Sequence, residues 1–252
     1  MNIGLKNKVA IVTGAFSGIG LATVLAYLEA AANVVAVDRQ ESVPTRLIEK
    51  AGEQLAIVQG DVSLESSAIE FTRVALERFG KIDVLVNNAG ISIVKALHEH
   101  TPEEWDAVMG VNVKAVYWSA RHVIPHMIKA RSGVILNTGS ISGVVGIATQ
   151  GAYGPSKGAI HQMTRQMAVE YAKYGIRVNA IACGTVDTPI VHKSAEASGD
   201  PAAYWKMLRD NHPIGRIASA EEVASFFVYM ASDLASFFTG AVIMMDGGYT
   251  AQ

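Results

Sequence analysis

Short apolar runs alternate with longer helical patterns along most of the chain. The runs are rich in β-branched residues and continuously apolar, which is typical of strands that are covered on both faces. They lie at residues 8–12, 33–37, 55–59, 83–87, 133–138, 176–181 and 241–245. The helical patterns fall near residues 18–31, 63–79, 102–130, 152–173 and 219–232. This alternation predicts an α/β fold, a doubly wound parallel sheet with helices on both faces.

Residues 187–213 interrupt this alternation. Residues 187–192 come first, a polar stretch rich in Ser, Ala and Gly follows, and Asp200-Pro201 then opens a short amphipathic helix through Trp205. Long insertions in compact domains are often lids or binding loops, and a mobile surface loop is the alternative. The large side chains Tyr204, Trp205 and Met207 favour the interpretation as a lid that covers the substrate site. Because no repeat, linker or low-complexity tract divides the chain, we predict a single domain over residues 1–252.

The composition excludes several classes of partner. Half of the residues are apolar, 17% are charged, and the formal net charge is −2 at pH 7. Without a long basic run, neither nucleic acid nor a membrane surface is an expected partner. No apolar segment reaches the roughly 18–20 residues of a membrane span, and the N-terminus lacks a signal-peptide pattern. Cys183, the one cysteine, cannot form an intrachain disulfide, which favours a cytoplasmic location. The histidines show no metal-ligand spacing, so we predict no metal site.

A glycine-rich stretch follows the first predicted strand and opens the first predicted helix. Unpaired backbone N–H groups and the helix dipole attract anions at such a place. Gly14 permits the turn, Gly18 lets the backbone approach a pyrophosphate, and Gly20 lets helix and strand pack closely. The second apolar run ends in Asp38, where a carboxylate can accept hydrogen bonds from an adenosine ribose. Taken alone, the stretch also fits an ordinary strand–helix turn.

Further motifs follow in order along the chain. They are Thr13-Gly14-x-x-x-Gly18-x-Gly20, Asn87-Asn88-Ala89-Gly90, Asn112, Ser140, Tyr153-x-x-x-Lys157 and Asp246-Gly247-Gly248. Together they resemble the short-chain dehydrogenase/reductase family over essentially the whole chain. The resemblance implies a Rossmann fold of seven parallel strands and a nicotinamide cofactor. It also implies oxidation of an alcohol or reduction of a carbonyl.

The catalytic residues that the resemblance implies are Asn112, Ser140, Tyr153 and Lys157. Tyr153 and Lys157 lie four residues apart on a predicted helix and so share one face. A nearby ammonium favours a phenolate, as does the positive ring of oxidised nicotinamide. We therefore expect Lys157 to lower the pKa of Tyr153, which acts as base in alcohol oxidation and as acid in ketone reduction.

The resemblance implies supporting roles for the other two catalytic residues, Ser140 and Asn112. Ser140 follows a predicted strand, and its hydroxyl holds the substrate oxygen beside Tyr153. Asn112 holds a water that links Lys157 to solvent. Lys157 also holds the ribose of the nicotinamide half.

The cofactor is expected to be NAD. The positions assigned to it are Gly14, Ser17, Gly18, Ile19, Gly20, Asp38, Arg39, Asp61, Val62, Asn88, Ala89, Gly90, Tyr153, Lys157, Gly184, Val186 and Thr188. The Asp38 carboxylate can bind both ribose hydroxyls but repels a 2′-phosphate. Arg39 is a complication, since it could stack on adenine or meet a phosphate. Asn87 is expected to stabilise the central strand instead.

The chain departs from the family pattern at Cys183, which stands where a proline is usual. Gly184 still allows close backbone approach. A small packed thiol is the expectation for Cys183, against a catalytic or metal-binding role.

The substrate pocket is expected to be mostly apolar with a few polar anchors. The predicted substrate-binding residues are Ser140, Ser142, Gln150, Tyr153 and His192, and variable lining comes from Val94, Val144, Val145, Ile147, Val191 and Trp205. A sugar or small polyol and a small cyclic alcohol both fit this mixture. An acyl-carrier-linked ketoreductase, a nucleotide-sugar epimerase or dehydratase, and a nucleotide-binding regulatory protein without catalysis are the alternatives.

A homotetramer is expected from the resemblance. The helical stretches near 102–130 and 152–173 carry more apolar residues than one face needs, and they would form a four-helix interface. Residues 240–248 would form a second interface. Packing within one chain is the alternative explanation for both.

Overall fold

The predicted strands form one parallel sheet in a computed structural model that describes residues 3–50 and 52–252. They are β1 (Val9–Thr13), β2 (Asn33–Asp38), β3 (Leu55–Gln59), β4 (Val84–Asn87), β5 (Gly133–Ser140), β6 (Ile176–Cys183) and β7 (Val242–Met245). Their order is β3-β2-β1-β4-β5-β6-β7, so the chain winds outward in both directions from β1 and β4. The doubly wound fold is confirmed, and every strand boundary lies within two residues of its prediction.

Helices cover both faces of the sheet. They are α1 (Gly18–Glu29), α2 (Thr45–Lys50), α3 (Glu65–Phe79), α4 (Pro102–Met109), α5 (Ala115–Ala130), α6 (Tyr153–Tyr171), α7 (Pro189–Ala197), α8 (Pro201–Asp210) and α9 (Ala220–Ala231). In β1, Ala10 and Val12 pack with α1 and α9, while Val9 and Ile11 pack with α3, α5 and α6. Alternate residues of one strand therefore enter two separate cores, which explains the continuously apolar runs.

Three local expectations need correction. The helix predicted over 102–130 is two helices joined by a wider π-helical turn at Gly110–Lys114. The α2 helix was not predicted, because it adds only one buried residue, Leu47. The edge strands β3 and β7 are not covered on both faces, and Ile57 is exposed.

The insertion at 187–213 is largely helical, since it contains α7 and α8. Asp200 caps α8 by accepting a hydrogen bond from the backbone N–H of Ala203 at 3.0 Å. The His192 and Trp205 rings pack edge to face at 5.0 Å between centres and join the two helices. Across the residues that the structure describes, none of the helices combines the length and apolarity needed to cross a bilayer.

Candidate active site

The glycine-rich turn joins β1 to α1 at the point where the strand order reverses. Gly14 and Gly18 have φ angles of +65° and +49°, a region that side chains disfavour. A Cβ at Gly20 would lie 1.9 Å from the Gly14 carbonyl oxygen, so Gly20 lets α1 pack against the turn. Ser17 precedes α1 without capping it, and the first turn has no acidic residue. The helix N-terminus is thus free for an anion such as a pyrophosphate, which fits a bound dinucleotide.

Asp38 lies at the carboxyl end of β2 and is nearly buried. One carboxylate oxygen accepts a hydrogen bond from the Phe16 N–H at 3.0 Å, and the other accepts from the Gln40 N–H at 3.0 Å. Each oxygen keeps a further lone pair, so the side chain can fix the glycine turn and still accept from a ribose hydroxyl. Arg39 is exposed beside it.

Asp61 and Val62 follow β3 at the same edge of the sheet. The Asp61 carboxylate accepts a hydrogen bond from the Ser63 N–H at 2.9 Å, and Ser67 Oγ donates to the Asp61 carbonyl at 2.7 Å. Val62 is buried. Asp61 therefore supports the turn before α3, in addition to the cofactor contact predicted for it.

The motif after β4 ties three strands together. Asn88 Nδ2 donates to the carbonyls of Thr13 and Gly14 at 3.1 and 3.2 Å, and Thr138 Oγ1 donates to Asn88 Oδ1 at 3.2 Å. Asn88 thus links the ends of β1, β4 and β5 at the point where the strand order reverses, a function that the sequence did not indicate. Gly14 and Ala89 touch closely, since a Cβ at Gly14 would lie 2.9 Å from the Ala89 Cα.

Asn87 stabilises the centre of the sheet, as expected. Its Nδ2 donates to Asn137 Oδ1 at 2.9 Å, and Asn137 Nδ2 donates to Thr164 Oγ1 at 2.9 Å. The chain of hydrogen bonds is buried and links β4, β5 and α6.

Ser140, Tyr153 and Lys157 meet where β5 ends and α6 begins. The Lys157 Nζ lies 5.5 Å from the centre of the Tyr153 ring and donates to the Thr138 carbonyl at 2.8 Å. The Ser140 side chain is a hydrogen-bond partner of Tyr153. Ligands of open α/β sheets bind at this end of the strands, so these three groups face the expected reaction site.

Asn112 lies in the π-helical turn and is almost fully buried. Its Nδ2 donates to the Ile91 carbonyl at 3.0 Å and to Ser156 Oγ at 2.9 Å, and its Oδ1 accepts from the Ile91 N–H at 2.9 Å. A Cβ at Gly90 would lie 3.4 Å from Asn112 Oδ1 and 3.7 Å from Lys157 Nζ. The Asn112 side chain therefore joins the segment after β4 to α6 through hydrogen bonds to protein groups.

The pKa of Tyr153 differs from the expectation. Burial raises the pKa of Tyr153 to about 12, and the hydrogen bond with Ser140 only partly opposes this. Burial also lowers the pKa of the Lys157 ammonium to about 8. The predicted lowering of the Tyr153 pKa is therefore wrong in direction, because burial disfavours the charged phenolate. Near neutral pH Tyr153 is a phenol and can donate a proton.

The predicted substrate-binding residues do not all converge. Ser142 and Ser140 do lie together, since their Oγ atoms are 3.1 Å apart. Gln150 Oε1 is buried without a hydrogen-bond partner among the described residues. His192 Nε2 lies 2.6 Å from Asp187 Oδ1. His192 also lines a cavity of about 620 Å³ beside Gly18, Thr188 and α9, and neither Ser140 nor Tyr153 lines it.

Cys183 is a packed thiol, as expected. It ends β6 in register with Ser140 and is buried. Burial raises the pKa of the thiol to about 12, so no reactive thiolate forms near neutral pH.

The loop after β6 depends on a histidine that the sequence did not single out. His212 Nε2 accepts from the Thr185 N–H at 3.0 Å, and its Nδ1 donates to the Leu208 carbonyl at 2.6 Å. A Cβ at Gly184 would lie 2.7 Å from His212 Nε2, so this glycine is needed for packing. Val186 is buried, and Thr188 Cγ2 lies 3.1 Å from where a Gly18 Cβ would stand. The loop thereby reaches the glycine turn.

Comparisons with known proteins agree with this arrangement. A family model described as enoyl-(acyl carrier protein) reductase matches residues 14–250. The cis-4-hydroxycyclohexanecarboxylate dehydrogenase of Sinomonas cyclohexanicum is 42% identical, with 100% of both chains covered. The NADP-dependent (R)-specific alcohol dehydrogenase of Lentilactobacillus kefiri is 38% identical over 98% of each chain. The crystal structure of a levodione reductase has a TM-score of 0.93 at 31% identity and covers 98% of each chain. The chain therefore belongs to the short-chain dehydrogenase/reductase family, whose members are oxidoreductases that act on alcohols or ketones with a nicotinamide dinucleotide.

Proposed function

We propose that this protein is an NAD-dependent oxidoreductase that interconverts a secondary alcohol and its ketone. The observation that carries the proposal is the meeting of Ser140, Tyr153 and Lys157 at the end of β5, beside an uncapped glycine turn. A bound nicotinamide dinucleotide supplies or accepts the hydride. The glycine turn, Asp38 and Lys157 would hold that cofactor.

The side chains manage the proton and the substrate oxygen. Ser140 donates a hydrogen bond to the substrate oxygen and stabilises the charge that develops on it. Tyr153 gives its proton to that oxygen in reduction and takes it back in oxidation. The raised pKa of Tyr153 keeps the phenol protonated before reduction begins. Lys157, one helical turn away, stabilises the phenolate that remains.

Asn112 stabilises the arrangement of Tyr153 and Lys157 on α6. Its side chain joins the segment after β4 to Ser156 on α6, which places Gly90 next to the Lys157 ammonium. A water held by Asn112 would link Lys157 to solvent and return protons to it. Single π-helical turns inside α-helices occur frequently at functional sites, which supports this role.

Asp38 supports NAD over NADP, although one relative at 38% identity is NADP-dependent. We expect Asp38→Asn to narrow the preference for NADH over NADPH by about tenfold or more, because it removes the charge that repels a 2′-phosphate. The amide oxygen keeps an acceptor for the Phe16 N–H of the glycine turn, while the hydrogen bond from the Gln40 N–H is lost. Fluorescence titrations with both reduced cofactors measure the ratio. Glu41→Gln, an exposed change nearby, is the control. An unchanged ratio in Asp38→Asn would contradict the assignment.

A small cyclic alcohol or ketone is the favoured substrate class. The cyclohexane-carboxylate dehydrogenase relative and the levodione reductase support it. So do the apolar residues Val144, Val145 and Ile147, which follow Ser140 and Ser142. Cofactor turnover across cyclic alcohols, sugars and polyols tests this proposal.

An acyl-carrier-linked ketoreductase is the second candidate, because the description of the matching family model names a reductase of substrates bound to acyl carrier protein. Turnover of an acyl thioester with NADPH but of no cyclic alcohol would favour this alternative. Binding of the dinucleotide without any turnover would favour a regulatory protein.

We further propose a homotetramer in the cytoplasm. Two apolar surfaces support the assembly: Val169 on α6 is largely exposed, and Phe237 before the half-buried β7 is fully exposed. The expected mass in solution is about four times the chain mass of 26.8 kDa. Light scattering after size-exclusion chromatography measures it, and Phe237→Ser is expected to yield dimers. A monomeric wild-type protein would contradict the proposal.

A further inference from the structure

His161 is a buried histidine with no part in the proton transfer described above. It lies on α6, four residues after Lys157, and is 2% exposed. Its ring occupies the space between two glycines of the segment that carries Ser140. A Cβ at Gly139 would lie 2.6 Å from His161 Nε2, and a Cβ at Gly143 would lie 2.6 Å from His161 Cε1. No larger residue fits at either place without moving the ring.

The ring is bound to the same segment at both of its ends. His161 Nε2 accepts a hydrogen bond from the Ser140 backbone N–H at 3.5 Å, a long but buried contact. The backbone of Gly143 hydrogen-bonds the ring on the other side. Between these contacts lies one tight turn, Ile141–Gly143. Ser140 caps that turn by accepting from the Ser142 N–H at 3.1 Å.

The direction of these hydrogen bonds requires one form of the ring. To accept from Ser140, Nε2 must carry no proton, so the proton of a neutral ring is on Nδ1. The pKa of His161 is lowered to about 4, mainly by burial and to a smaller extent by the nearby charges of Arg165 and Lys157. A protonated ring would set an N–H against the Ser140 N–H.

We propose that His161 is a positioning residue: its neutral Nδ1–H tautomer holds the Ser140–Gly143 turn and so fixes the Ser140 hydroxyl relative to Tyr153. This inference rests on the proposed function, because it gives Ser140 its role. In this proposal His161 neither contacts the substrate nor transfers a proton.

Three variants test the acceptor at Nε2. Glutamine places an amide oxygen near the Nε2 position, asparagine reaches only the Nδ1 position, and leucine has no acceptor. We expect His161→Gln to keep kcat within about threefold of wild type, and His161→Asn and His161→Leu to lose about tenfold or more. Cofactor affinity should not change, and the substrate deuterium isotope effect should rise as hydride transfer becomes slower.

The controls separate positioning from folding. Rates are counted per cofactor-binding site, so a merely unstable variant keeps its kcat and its isotope effect. If His161→Leu fails to fold, the glutamine and asparagine variants carry the comparison. Equal kcat values in those two overturn the inference, whether both are fast or both are slow. If wild type turns over no alcohol or ketone, the proposed function fails instead.

A second measurement does not depend on turnover. Nitrogen chemical shifts of ¹⁵N-histidine-labelled protein report the tautomer of each ring, and the signal missing from His161→Gln identifies His161. We expect a neutral ring protonated at Nδ1 near pH 6. A ring protonated at Nε2 cannot accept from Ser140 and would overturn the inference.

Discussion

Replacing Tyr153 with phenylalanine is expected to lower kcat by about 10³-fold in both directions, within the range that general acid–base groups contribute. The change removes one hydroxyl and leaves the ring beside Lys157. No other phenol lies in the site as we describe it, so proton transfer to the substrate oxygen falls to water. The rate is followed through the absorbance of the reduced cofactor.

The same variant should bind the cofactor nearly as well as wild type, within about threefold in Kd. The Tyr153 hydroxyl stabilises the transition state, so its removal lowers kcat more than it weakens cofactor binding. Tyr171→Phe is the matched control, because Tyr171 ends the same helix far from Ser140. A Tyr153→Phe enzyme that kept a tenth of the wild-type rate would contradict the proposed role.

The sheet could be predicted because its residues obey local rules. Both faces of the central strands are buried, so continuous apolar runs mark them, and the glycine turn follows directly from the order of strand and helix. The edge strands obey this rule less well, and Ile57 shows why: a strand with one neighbour leaves part of its surface exposed.

The details of the site depend on contacts between distant segments. The π-helical turn at Asn112 is fixed by hydrogen bonds to Ile91 and Ser156, neither of which the helical periodicity of 102–130 can reveal. The pKa of Tyr153 was predicted in the wrong direction, because desolvation depends on the whole fold whereas the spacing to Lys157 is local. His192 was grouped with Ser140 and Tyr153, but its contacts are with Asp187 and Trp205.

Replacing Gly20 with alanine is expected to destabilise the fold and to weaken cofactor binding strongly. Alanine is the better helix former by about 1 kcal/mol, so helix propensity alone would favour the change. However, the new Cβ would lie 1.9 Å from the Gly14 carbonyl oxygen and 2.6 Å from Asn88 Nδ2. Neither neighbour can yield freely: the first is backbone of the glycine turn, and the second is bound to Thr13 and Gly14.

The cost therefore exceeds the gain in propensity. Forcing an extra methyl group into a packed site costs about 1–3 kcal/mol, and here α1 must also move away from the turn that would hold the pyrophosphate. We expect the free energy of unfolding in urea to fall by about 2 kcal/mol or more, and the cofactor Kd to rise by about 100-fold. Gly158→Ala is the matched control for stability, because Gly158 lies within α6 and its Cβ would make only an ordinary contact, 3.8 Å from the Gly143 carbonyl oxygen. If Gly20→Ala were as stable as Gly158→Ala and bound the dinucleotide normally, close packing of α1 on the turn would not be what this glycine provides.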